Sequence, residues 1–195
     1  LQEANLSWAD LSGAYLEEAN LEGANFTGAD LRAALIIATK FQGVILTRVN
    51  FTGARFFKTN LEGVDLQEVN LQKAEFKEVN LKKANLQGAN LTEANLTRTK
   101  FFKTNLKKAN LQGANLTEAK FFEANLKKAN LQGANLTKAR IYKVNLEGAD
   151  LTEANLTRTK LREVKFTGAN LQDVRGLTNA QKDYCRANEA INVPE

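Results

Sequence analysis

From Leu1 to Leu171 every fifth residue is Leu, Phe or Ile, 35 positions in a row without a slip in register. Three residues after each of these centres stands Ala, Val or Thr, as in Ala4, Val44 and Thr99. The residue after that is Asn or Asp in 23 of the 35 pentads. The remaining two positions are mostly Gly, Thr, Gln, Lys, Arg and Glu. A period of five fits neither the 3.6 of a helix nor the 2 of a strand. Within one pentad, however, the small and the large apolar residue are two apart. That is strand alternation, with both turned one way and the Asn the other. A continued strand would reverse its phase in the next pentad, and the pattern never reverses. The chain must therefore turn a corner once per pentad, giving a coil of short flat sides around a filled lumen.

The number of sides comes from longer matches. Residues 96–115 align with residues 116–135 at 16 of 20 positions, and LTRTK recurs at 96 and 156, three twenties apart. LKKANLQGANLTEA at 81 and 106 competes with a shift of 25. The longer match sets the coil at twenty residues, four pentads, a square. These pentads resemble the pentapeptide-repeat family, whose motif is A-(D/N)-L-x-x, and the resemblance covers residues 1–175. It implies an all-β fold, a right-handed quadrilateral β-helix of nearly nine coils, about 42 Å long at a strand spacing of about 4.8 Å. Such a body is quasi-one-dimensional, each coil held by its neighbours.

The register breaks at Gly176, which divides the chain into a repeat region, 1–175, and a C-terminal cap and tail, 176–195. Residues 178–190 read as a short α-helix with Thr178 or Asn179 as N-cap. Leu177, Tyr184, Ala187 and Ile191 are expected to form its apolar stripe, as a lid over the last coil or as a dimerisation surface. Asn192 to Glu195 are expected to be loose. The first coil shows no cap, so its edge is either covered by preceding residues or used for stacking. The chain opens at Leu1 in register and without Met, which points to processing or to a trimmed chain. No apolar run is long enough for a membrane-spanning helix.

Composition removes most chemistry. The chain has no His and one Cys, Cys185. The commonest general base and metal ligand are missing, and neither a Ser-His-Asp nor a Cys-His arrangement can be assembled. No phosphate loop or dinucleotide fingerprint appears. The many Asn residues read as ladders and turn bonds, and Cys185 as a semi-buried helix residue. No enzymatic activity, metal or cofactor is expected.

What remains is surface. Folding the sequence onto twenty-residue coils stacks Lys100, Lys120, Arg140 and Lys160 into one outward column where Asn is the norm. Two residues on, Phe102, Phe122 and Tyr142 form a second column, continued by Arg162, with the rings expected to be exposed. Columns of Arg98, Glu118, Lys138 and Arg158, and of Lys103, Glu123, Lys143 and Glu163, flank them. Ten cations against three anions give this face +7, more than the +5 of the whole chain. Like charges opposite one another destabilise a sheet, so an anionic partner would relieve the column. Residues 1–31 carry six acids and no Lys or Arg, leaving +11 on residues 32–195. Trp8 and Tyr15 point outward in this acidic start, and with Leu35 and Ile37 they mark a second candidate contact, near Ile45.

Three functions follow. The first is a non-catalytic structural and interaction scaffold, regulatory in character, offering its basic-aromatic face to an acidic protein. The second is nucleic-acid binding, for which cations interleaved with aromatics suit single strands and the pI near 9.3 is favourable. The third comes from the family, some members of which mimic duplex DNA, bind DNA gyrase and confer fluoroquinolone resistance. Those rods are strongly acidic, and this chain is basic. The uninterrupted A-N-L-x-x run and terminal helix look most like cyanobacterial or plastid members, one of which regulates heterocyst differentiation by protein contact. The sequence leaves oligomeric state open between monomer and an end-to-end or helix-mediated dimer. It favours the cytoplasm, with thylakoid lumen or periplasm as alternatives.

Overall fold

The computed structural model describes residues 1–195. Each centre from Leu16 to Leu171 lies in one continuous apolar column, together with the Ala, Val and Thr positions. Side chains fill the lumen. Phe101 and Phe121 stack at 4.6 Å, and Phe56 and Phe76 at 5.0 Å. Residues twenty apart pair in parallel, from Asn5 with Asn25 to Asn155 with Arg175. The square coil of twenty residues is thus the observed register, and residues 1–175 make nearly nine coils. The four sides are called face 1 (through Asn5), face 2 (Asp10), face 3 (Tyr15) and face 4 (Asn20).

Most pentads turn by one device. The centre's carbonyl accepts from the amide three residues on, as in Ala114 N to Leu111 O at 3.0 Å. The residue two after the centre takes a positive φ, 64° at Gly113 and 59° at Lys108, which makes this a type II turn. The Asn before the centre closes it, Asn110 Oδ1 accepting from Gln112 N at 3.1 Å. Several Asn side chains also bond along their column, such as Asn130 Nδ2 to Asn110 Oδ1 at 3.2 Å.

Seven pentads extend instead. On face 3 these are β1 (Leu35–Ile37), β2 (Arg55–Phe57) and β3 (Glu75–Lys77); on face 4, β4 (Lys100–Phe102), β5 (Lys120–Phe122), β6 (Arg140–Tyr142) and β7 (Lys160–Arg162). None has Asn or Asp before its centre, and each has a bulky residue after it. Without the Asx acceptor the amide after the centre is free to join a true parallel ladder. The extended pentads move from face 3 to face 4 between Glu75 and Lys100, a step of 25. That one-pentad shift accounts for the competing 25-residue sequence match.

At the C-terminus, α1 spans Asn179–Ala187, capped by a Thr178–Gln181 capping box. It closes the last coil with side chains. Gln181 Nε2 donates to Thr159 O at 2.8 Å, and Tyr184 Oη accepts from Val164 N at 2.9 Å. Two expectations need correction. The buried residue of α1 is Cys185, while Ala187 and Ile191 of the expected stripe are exposed, because Tyr184 and Cys185 are the pair turned to the rod. The tail is held rather than loose. Ile191 pairs with Asn170 and exchanges bonds with Ala169 and Leu171, so the chain rejoins the ladder after the helix. Asn192, Arg186 and Lys182 then fix the last residues through Asn170 Oδ1, Pro194 O and Glu195 O.

Candidate interaction surface

The ladder β4–β7 aligns Lys100, Lys120, Arg140 and Lys160 in direct register on face 4, all exposed. Phe102, Phe122 and Tyr142 align in the same register, with Arg162 after them. These rings are half-buried, not exposed as the sequence implied, because they stack on one another. Phe102 and Phe122 are 4.8 Å apart and nearly parallel, at 3°, and Phe122 and Tyr142 are 5.1 Å apart. The stack runs along the rod, so ring faces meet neighbouring rings and ring edges meet solvent. Lys143 and Arg162 cover Tyr142 at 5.2 and 5.3 Å.

The ion pairs sort the ten cations. Glu118 is shared by Arg98 at 2.8 Å and Lys138 at 3.7 Å. Arg98's hydrogen bond, with Lys138 beside it, holds the Glu118 carboxyl below its usual range. Glu123 pairs with Lys103 at 3.3 Å, and Glu163 with Lys143 at 3.8 Å and Arg162 at 3.4 Å. Every carboxylate of the face is therefore engaged by a flanking cation. Lys100, Lys120, Arg140, Arg158 and Lys160 have no ion-pair partner. The groove between the columns, about 500 Å³, is lined by Arg98, Lys100, Glu118, Lys120, Lys138 and Arg140.

The second candidate contact is divided. Tyr15 pairs with Leu35, and Leu35 and Ile37 lie in β1, so these three share face 3. Phe57 follows Ile37 in register, with Lys58 and Lys77 over its ring at 5.1 and 5.2 Å. Sequence reading passed over Phe57, although a non-Asn pentad with a bulky residue after its centre marks it as it marks Phe102. Trp8 is not part of this group. It stands at the corner between faces 1 and 2, 70% exposed, with its ring over the backbone of Gly28. Of the six acids in residues 1–31 only Asp30 has an ion pair, with Arg32 at 2.6 Å.

No group of His, Cys, Asp or Glu in the structure is placed to hold a metal ion. No helix is long and apolar enough to cross a membrane. The fold and its surface define a parallel β-solenoid built from five-residue units, with its chemistry on outward columns. The chain belongs to the pentapeptide repeat family, whose profile matches between residues 1 and 175. Among solved structures it is similar to HetL, a pentapeptide repeat protein involved in heterocyst differentiation regulation from the cyanobacterium Nostoc. That match has 31% identity and a TM-score of 0.59, and covers 90% of this chain and 80% of HetL. A pentapeptide repeat protein of the Arabidopsis thaliana thylakoid lumen matches at 32% identity and a TM-score of 0.35, over 51% of this chain and 72% of that one. QnrB1, a plasmid-mediated fluoroquinolone resistance protein, matches at 23% and 0.41, over 93% of this chain and 85% of its own. No curated protein matches by sequence.

Proposed function

We propose that this protein is a non-catalytic interaction scaffold whose face 4 binds an acidic segment of a partner protein. One observation carries the reading. Five cations stand unpaired in one patch while every carboxylate beside them is already engaged. Like charges in cross-strand register repel, so an incoming row of carboxylates removes repulsion as well as adding attraction. The stacked rings assist. The edge of an aromatic ring is its positive side, and edges are what Phe102, Phe122 and Tyr142 turn outward. Similarity to HetL, a regulatory protein, supports an interaction role of this kind.

The same stacking weakens the nucleic-acid alternative. Single-strand binders stack bases on open ring faces. Here those faces are met by neighbouring rings and by Lys103, Lys143 and Arg162. The DNA-mimic reading needs a strongly acidic surface, and the chain is net +5. A gyrase supercoiling assay with fluoroquinolone is expected to show no protection.

Titration of the full chain with a glutamate-rich peptide and, separately, with oligo-dT tests the proposal, at low and at physiological salt. The peptide is expected to bind through face 4, more weakly as salt rises, and Lys120→Glu/Arg140→Glu to abolish it. Tighter binding of oligo-dT, or peptide binding indifferent to the double substitution, would overturn it.

A further inference from the structure

Along the four faces every residue before a centre pairs with its equivalent twenty residues on, with one exception. Ile45 and Asp65, on face 1 between coils 3 and 4, are in register but do not pair. The break extends to the backbone bonds around them. Elsewhere the amide of a centre donates to the next coil, as Leu106 N does to Asn125 O at 2.7 Å. So does the amide two residues later, as Lys108 N does to Lys127 O at 3.0 Å. The corresponding amides of Phe41, Gly43, Leu46 and Arg48 make no such bond, and Asp65 N does not reach Val44 O. On the adjoining face 4, Asn60 N does not reach Thr39 O, although Lys40 and Asn60 stay in register. A cleft of about 470 Å³ opens there, lined by Ile45, Thr47, Asp65, Gln67 and Glu68. Val44 and Val64 beneath it are 8% and 9% exposed, where Ala109 and Ala129 of a regular stretch are 0% and 1%.

The sequence explains the break. Ile45 replaces the Asn whose Oδ1 would accept from Thr47 N. Beneath it Val44 faces Val64 and Val49 faces Val69, in a coil that also carries Phe41, Phe51 and Phe56. One such valine pair is accommodated elsewhere, since above Val144–Val164 the bond Lys165 N to Val144 O is kept at 2.9 Å. Two pairs beside three phenylalanines put more side-chain volume at this junction than at Val144–Val164, and overpacked cores move backbone. The opposite side holds. On face 3, Arg55–Phe57 stays paired with Glu75–Lys77, and on face 2 Asn50 stays paired with Asn70, through a long Asn70 N to Val49 O bond of 3.3 Å. A smaller interruption at Glu78, Leu81 and Lys100 leaves the Asn80–Lys100 pair in register.

We infer that the coil 3–coil 4 junction is a one-sided joint. It opens on face 1 and the adjoining edge of face 4 about the intact β2–β3 ladder, letting the acidic first coils tilt against the basic remainder of the rod. Tilt of this sense closes toward face 3, where Tyr15, Leu35, Ile37 and Phe57 lie.

Amide hydrogen exchange on the full chain, read residue by residue as protection factors, tests the joint. Leu46, Arg48 and Asp65 are expected to be protected at least about tenfold less than Leu126, Lys128 and Asn145, their equivalents four coils on. Glu78 and Leu81 should fall between. Ile45→Asn, an outward change that removes no core, should raise protection at Thr47 and Arg48. Val44→Ala/Val49→Ala should raise it at Leu46 and Asp65. Equal protection at the two sets of equivalents would overturn the joint. Variants that leave the low protection unchanged would overturn overpacking as its cause.

Discussion

Whether a pentad turns or extends is decided by two side chains. An Asn or Asp before the centre holds the following amide in an Asx bond and tightens the corner, as Asn110 does for Gln112. Its absence is not sufficient for a strand. Tyr15, Lys40, Ile45 and Lys165 also lack the acceptor, yet their pentads still turn, with Glu17, Gln42, Thr47 and Thr167 after the centre. A bulky residue there, as at Phe57 or Phe102, accompanies extension. Asn110→Ala removes the bond to Gln112 N and the one from Asn130, and is expected to destabilise the rod by about 1 kcal/mol in chemical denaturation. A second residue-scale prediction concerns acid. Hydrogen bonds from Lys127, then Lys165, hold the Glu147 carboxyl down from its ordinary 4.5 to about 2. The ionised form is the one the fold favours, so its contribution is complete above pH 4.5 and is lost as pH falls toward 2. Glu147→Gln should flatten the dependence of Tm on pH across that window, and an unchanged slope would contradict the assignment.

The elements were legible to different depths in the sequence. The core column follows from the apolar period, because every inward position obeys it from Leu1 to Leu171, and the coil length from the match of residues 96–115 with 116–135. The seven strands do not, since the inward residues of turning and extended pentads are alike and the difference lies on the outer surface. The helix was legible through its N-cap residue Thr178, but neither the Gln181 half of the capping box nor its buried side was. Tyr184 and Cys185 face the rod because the cap must satisfy Val164 N and Thr159 O at the last coil, a demand no helical period expresses. Burial pushes the Cys185 thiol up to about 11. The native thiol should therefore react slowly with a disulfide reagent at pH 8, at a rate set by opening of the cap. Thr178→Ala, expected to cost 0.5–2 kcal/mol, and Tyr184→Phe, which leaves Val164 N without its acceptor at about 1–3 kcal/mol, should both speed that reaction. Fast labelling of the unaltered protein would contradict the lid. In the face 4 ladder, Lys120→Glu sets opposite charges between Lys100 and Arg140. It should raise stability by roughly 0.2–1 kcal/mol in thermal melts.

At the scale of the whole molecule, charge is arranged by length as well as by face. The first coils carry acids with few partners, and each of the last four extended pentads opens on a cation, Lys100, Lys120, Arg140 or Lys160, that has none. The basic ladder was visible in the sequence by residue number, because a fixed coil length turns spacing into position. Its quality as a site was not, since pairing of Glu118, Glu123 and Glu163 with flanking cations, rather than with the central column, depends on side-chain reach. Nor was the orientation of the rings, which sets the site toward carboxylates and away from bases. If this surface is the working one, removing its charge must cost binding without costing the fold, because all the changed positions point outward.

The most direct test is capture from a lysate of the source cells, with and without nuclease, by the full chain and by Lys120→Glu/Phe122→Ala/Arg140→Glu at matched Tm. The account predicts a protein with an acidic segment that is retained by the unaltered chain, is lost from the variant and survives nuclease. Equal recovery by both chains would contradict it, and so would retention that disappears with nuclease.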